Sequence, residues 1–182
     1  MKKAATFLIG LVCMLGFCSP LAAQEDGSIR YSGDRQETVL AEGRERTVLT
    51  GNVEIQTDGI QITADRVELF GTDFTFLIAE GSLFIADRER GIFLSGERLF
   101  YDRERDIARV EGGAAMEDRE NEVVVRAEVI ESRNEDELAI FQIAVRIFGR
   151  DWTTRSEFAR FDRREDQLYL TGLRLVIFEG DE

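Results

Sequence analysis

Carboxylates are the most abundant reactive groups in this sequence, and their spacing sets what chemistry is open to it. Asp87-Arg88-Glu89-Arg90-Gly91, Asp102-Arg103-Glu104-Arg105-Asp106 and Asp162-Arg163-Arg164-Glu165-Asp166 are acidic clusters between apolar runs. Calcium loops place oxygen ligands at alternate positions. Here the positions between the acids are mostly Arg, whose guanidinium opposes a bound cation, so the clusters are expected to be solvated hairpin turns with cross-strand Arg–carboxylate pairs and no metal. A two-carboxylate glycosidase is open on inventory alone. Yet no Asp or Glu sits within an apolar run where burial would raise its pKa. No catalytic residue and no cofactor is assigned.

The rest of the inventory narrows the field. The chain has 182 residues, no His, and two Cys, Cys13 and Cys18. Lys2 and Lys3 are its only lysines; they precede an apolar run from Ala4 to Phe17, then Ser19, Pro20, Ala22 and Ala23. That order is the pattern of a secretory signal peptide, and the run is short for a bilayer span. Residues 1–23 are therefore expected to be removed on export to the periplasm. A lipidated Cys18 is the minor alternative, disfavoured by the large Phe17 before it. Cleavage after Ala23 removes both lysines, both cysteines and the one proline, and takes the formal charge from −13 to −15. Without Cys or His there is no thiol nucleophile, no disulfide and no ordinary zinc site. The charge excludes a nucleic-acid partner, which requires a basic face. The remaining chain, roughly 160 residues, suits one domain.

The elements that must position these groups are strands. Apolar residues fall at alternate positions at Val53 and Ile55, Ile60 and Ile62, Val67 and Leu69, Leu83 and Ile85, and from Val123 to Val129. They do so again in the run Ala139, Phe141, Ile143, Val145, Ile147 and at Leu168 and Leu170. Period two with one apolar face indicates antiparallel strands covered on one side. The segments also repeat. Leu49-Thr50-Gly51-Asn52-Val53 is echoed at Ala79-Glu80-Gly81-Ser82-Leu83, Val110-Glu111-Gly112-Gly113-Ala114 and Leu170-Thr171-Gly172-Leu173, with glycines 30, 31 and 60 residues apart. The skipped slot, near 142, holds a strand that has lost its glycine. A second phrase carries acids at 65, 97, 128 and 157, again about 30 residues apart. Stacked β units of about 30 residues follow, none closing a core alone.

The phrases Leu49-Thr50-Gly51-Asn52-Val53-Glu54-Ile55 and Ile60-Gln61-Ile62-Thr63-Ala64-Asp65-Arg66-Val67-Glu68-Leu69 resemble the signature of the OstA-like family of lipopolysaccharide-transport proteins. The pattern is a T-G-N-V-x-I strand followed by an A-D-x-V-x-V strand, and Gly96 to Met116 resembles the family's next repeat. The resemblance implies an all-β twisted β-jelly roll of two facing antiparallel sheets, partly open along one side, over residues 47–178. It is preceded by a polar lead-in at 24–46 with one short strand at 29–31 and followed by an acidic tail at 179–182. It further implies that acyl chains of lipopolysaccharide, or of a related glycolipid, rest in the apolar interior. It implies, too, that copies join head to tail, and that they meet OstA-like domains of an inner-membrane exporter and an outer-membrane assembly protein.

Alternation supplies the inward, lipid-groove candidates: Val53, Ile55, Ile62, Val67, Leu69, Phe76, Leu83, Ile85, Leu99, Tyr101, Met116, Val125, Phe141, Ile143 and Val145. A closed sandwich core uses the same residues, and the two readings differ only in whether the sheets leave a gap. The last strand, Leu173 to Phe178, is apolar and lacks the Pro or Lys that blunts exposed edges. Leu173, Leu175 and Ile177 are therefore edge candidates for strand addition. Arg66, Arg98 and Arg126 are expected to pair with nearby Glu, leaving lipid to be held by its tails. The competing reading is a periplasmic scaffold with a closed core and no cargo.

Overall fold

A computed structural model describes residues 29–178 apart from 42 and 58; the expected leader, Cys18 and the acidic tail lie outside the described residues. Twelve strands are present among the described residues. They are β1 (Arg30–Ser32), β2 (Arg35–Val39), β3 (Arg46–Thr57), β4 (Ile60–Phe70), β5 (Phe76–Asp87), β6 (Ile92–Asp102), β7 (Ile107–Asp118), β8 (Val123–Arg133), β9 (Leu138–Phe148), β10 (Trp152–Asp162), β11 (Gln167–Thr171) and β12 (Leu175–Phe178). All pair antiparallel in one open sheet, in the order β1-β3-β4-β5-β6-β7-β8-β9-β10-β11, with β2 also on β3 and β12 also on β10. The fold is all-β, as the alternation predicts. The sheet begins before residue 47, however. The polar strand β2 pairs residue for residue with Arg46–Thr50, although its side chains are exposed and give no alternation to read.

The repeating glycines mark a crease. Pairing registers slip between Thr50 and Val53, Glu80 and Leu83, and Glu111 and Ala114, where β3, β5 and β7 each carry an extra residue. Gly51, Gly81 and Gly112 take φ of 77°, 75° and 83°, followed by Asn52, Ser82 and Gly113, also at positive φ. These are β-bulges, and their alignment from strand to strand bends the whole sheet along one line. In β9 the same slot holds Ile143 (φ 67°) and Ala144 (φ 54°), with the register slipping on both sides of it. Backbone position, rather than glycine, is what recurs.

The second repeating phrase covers the crease on its exposed side. A Cβ on Gly81 would collide with the Asp65 carboxylate, one on Gly51 with Asp34, one on Gly112 with Glu97 and one on Gly172 with Glu157. Asp65 Oδ2 accepts from Ser82 Oγ at 3.1 Å and Asp34 Oδ2 from Asn52 Nδ2 at 2.9 Å. The two phrases thus share a period because each acid covers the bulge of the strand that follows it. Gly81→Ala is accordingly expected to lower the unfolding free energy by about 1–3 kcal/mol, through left-handed strain and the collision. Ile143→Gly should instead raise it by about 1 kcal/mol, since a β-branched residue at positive φ is relieved. Urea midpoints of the two variants check both signs.

The crease divides each long strand into two segments. C-terminal segments of β3, β5, β7 and β9 and N-terminal segments of β4, β6, β8 and β10 make a front layer, edged by β1 and β12. The remaining segments make a back layer, edged by β2 and β11. Buried residues from both layers form one apolar cluster in which Ile55, Val67, Leu69 and Val110 are fully enclosed. A flat sheet leaves both faces wet, so this enclosure requires the layers to face one another.

Turn carboxylates have a local duty. The side chains of Asp87, Asp102, Asp118 and Asp162 accept from the backbone N–H of Arg90, Arg105, Asn121 and Glu165 at 3.0, 3.1, 3.0 and 3.2 Å. These are side-chain-closed hairpin turns. Arg66 and Arg98 flank Glu80 on the outer back face, at 3.2 and 3.5 Å, as expected. Such exposed pairs contribute under about 1 kcal/mol each. Arg126 departs from that expectation: its guanidinium lies over the Phe148 ring at 6.0 Å and faces Arg146 across the ladder.

Candidate functional site: an apolar pocket between the layers

Alternation places most of the groove candidates inside. Val53, Ile55, Ile62, Val67, Leu69, Leu83, Ile85, Leu99, Met116, Val125, Phe141 and Val145 belong to the buried cluster, with Tyr101 half-buried against it. Two candidates lie elsewhere. Phe76 stands on the outer back face, tilted against Phe70 and stacked on Phe100 with centroids 5.4 and 6.0 Å away; the inward residues of its strand are Leu77 and Ala79. Ile143 occupies the bulge and is 59% exposed, because the two-residue bulge lets Phe141 and Val145 both point inward across it.

Between the layers, at the C-terminal end, is a half-open pocket of about 260 Å³. Met116 of β7, Val123 and Val125 of β8, Ile147 of β9 and Trp152 of β10 line it from the front layer. Phe141 of β9, Phe161 of β10 and Leu168 of β11 line it from the back. Asp118, Asn121 and Asp166, all turn residues, make its polar rim. Val123, Ile147, Trp152, Phe161 and Leu168 are additions to the sequence-derived set. Phe161 is missed because β10 changes parity at its register slip: Thr154 and Ser156 are buried on one side, Ala159 on the other. Trp152, the one tryptophan, is a pocket wall.

Further toward β3, Ile55, Val67 and Leu69 are fully enclosed and act as packing. Opposite the crease, the turns of the two layers meet in a polar seam. Arg163, from the back-layer turn after β10, donates its backbone N–H to Glu137 O at 2.9 Å and Nη1 to Asn134 Oδ1 at 3.4 Å. Burial lowers its pKa from the usual guanidinium value; the Arg90 charge adds to this, while Asp118, Glu137 and Asp87 oppose it. Arg90, Asp118 and Asp87 belong to front-layer turns, so charges from both layers meet across the seam. Of the two buried acids in the back layer, Asp102 closes its hairpin turn, and Glu131 is bonded to Arg133 Nε at 2.6 Å and Arg109 Nη1 at 3.4 Å, so burial there is structural.

The edge candidates Leu175 and Ile177 lie on β12, which pairs only with β10 among the described residues, and Leu173 just precedes it; all three are exposed. No helix of the described residues is long and apolar enough to cross a membrane. The family model described as LptA/(LptD N-terminal domain) LPS transport protein matches residues 34–179. Among solved structures, LptH, the LptA-homologous periplasmic component of the lipopolysaccharide transport device of Pseudomonas aeruginosa, matches with 12% identity and a TM-score of 0.36. The alignment covers 80% of this chain and 83% of that one. A search of curated proteins gives no match.

Proposed function

The chain belongs to the family of LptA and LptD N-terminal-domain lipopolysaccharide-transport proteins, and on that premise we propose that it is a non-enzymatic periplasmic carrier. It shelters acyl chains of lipopolysaccharide, or of a related glycolipid, between its layers and joins end to end with like domains to bridge the two membranes. The observation that supports this reading is the half-open apolar pocket walled by Phe141, Trp152 and Phe161. Its size bears on how cargo is held. A cavity of about 150 Å³ accepts benzene, so one of about 260 Å³ takes roughly ten carbons in proportion. At about 0.8 kcal/mol per buried CH₂, that is about 8 kcal/mol before association costs of about 4–15 kcal/mol. One short segment therefore binds weakly, and a cargo of several chains needs the layers to part along the seam.

The full enclosure of Ile55, Val67 and Leu69 favours the second reading, a closed scaffold, around those residues. Displacement of a fluorescent acyl probe separates the two: saturable binding that lipopolysaccharide competes away is expected, and its absence leaves the scaffold. End-to-end assembly rests on the unpaired edge of β12. Sedimentation is expected to show mass rising with concentration, and a strict monomer at high concentration removes that part of the reading.

A further inference from the structure

On the outer front face, strand register aligns Arg126 of β8, Arg146 of β9 and Arg155 of β10 directly opposite one another. All three are exposed, and among the described residues none makes an ion pair. Like charges directly opposite in a sheet destabilise it, and in a chain of net charge −13 carboxylates abound to relieve them. Elsewhere the chain does so: on the back face Arg66, Glu80, Arg98 and Glu111 alternate in sign across four strands. The front row stands out by contrast.

Two further features converge on it. Arg146 and Arg155 line a concavity of about 580 Å³ that runs along the crease, with Ile143 and Ala144 of the β9 bulge and Leu175 of β12 as its apolar part. Ile143 holds a left-handed conformation there while exposed to solvent, where the equivalent positions 51, 81 and 112 carry glycine. Retained strain of this kind concentrates at functional sites. Glu157 and Arg174, also lining residues, pair with each other, so Glu157 does not neutralise Arg146 or Arg155.

We propose that this concavity is a binding site for a phosphate anion carried on a lipid headgroup. The stems of Arg146 and Arg155, on adjacent strands about 4.8 Å apart, can donate together to an oxyanion with three free oxygens, with Arg126 next in the row, whereas a carboxylate offers two. Guanidinium groups pair with phosphate in bidentate geometry, and the apolar wall from Ile143 to Leu175 receives the start of an attached chain. The site lies outside the layers and does not depend on the interior pocket.

The purified protein is to be titrated with inorganic pyrophosphate and floated with vesicles of phosphatidylcholine alone or mixed with phosphatidic acid, whose phosphate monoester keeps three free oxygens. Saturable, salt-sensitive binding to the mixed vesicles is expected, weakened at least tenfold in Arg146→Gln/Arg155→Gln and unchanged in Arg98→Gln. Relief of like-charge repulsion should leave the double variant's thermal midpoint equal or higher, which separates lost binding from lost folding. Acyl-probe binding should persist in the double variant, keeping this site distinct from the pocket. Pyrophosphate binding without vesicle binding would assign the phosphate chemistry to a soluble ligand. Wild-type protein that binds neither probe, a double variant that binds both as wild type does, or polyglutamate that competes as well as pyrophosphate overturns the proposal.

Discussion

Phe141→Ala is expected to lower the unfolding free energy by about 3–5 kcal/mol, the largest single-residue effect in this protein. Phe141 is the largest of the fully buried side chains, 2% exposed, and reaches from the back layer into the pocket opposite Val125 and Met116. Truncation removes the ring's transfer energy and adds its volume to an existing cavity. The surrounding strands cannot collapse inward, because each is held by antiparallel ladders on both sides. The full cavity cost therefore stands. Against a typical total of about 5–15 kcal/mol for a domain, the variant should unfold at markedly lower urea, with m little changed. A loss under about 1 kcal/mol would mean that the layers around β9 are already apart, and that Phe141 is a wall of an open groove rather than a core residue.

The sequence made some parts of this molecule readable and concealed others, for reasons that lie in the bulges. Inward residues such as Val53, Ile55, Leu83 and Ile85 are legible because odd-numbered strands keep their parity through the crease: the two bulge residues occupy two positions and return the chain to the same face. Even-numbered strands cross the crease without an extra residue and change parity, as β4 does between Ala64 and Val67. In β10 that change hides Phe161. Ile143 fails for the opposite reason. It satisfies strict alternation from Ala139 to Ile147, yet its position belongs to the bulge series of Gly51, Gly81 and Gly112. The 31-residue spacing from Gly112 was the signal that marked it. Phe76 fails because Phe76-Leu77-Ile78-Ala79 is apolar on both faces, so alternation gives no choice of side. Whether the interior holds space is a property of how two layers meet, and no local pattern encodes it.

Val125→Trp is expected to weaken acyl-probe binding by at least tenfold while leaving a folded protein. Val125 is 1% exposed and lines the pocket from the front layer, facing the back-layer aromatics. Overpacking a well-filled core costs about 1–3 kcal/mol, but here the added ring has a cavity of about 260 Å³ to enter, larger than the roughly 150 Å³ that takes benzene. The indole therefore occupies the space an acyl segment would need, and the strain is partly avoided. Opposed signs make the experiment decisive. If the pocket is the lipid site, binding falls while the urea midpoint holds or rises. If the interior is only core, the midpoint falls and no binding is there to lose. Unchanged probe affinity in a stably folded Val125→Trp would place the probe outside the pocket, and the carrier reading would then lose the observation that supports it.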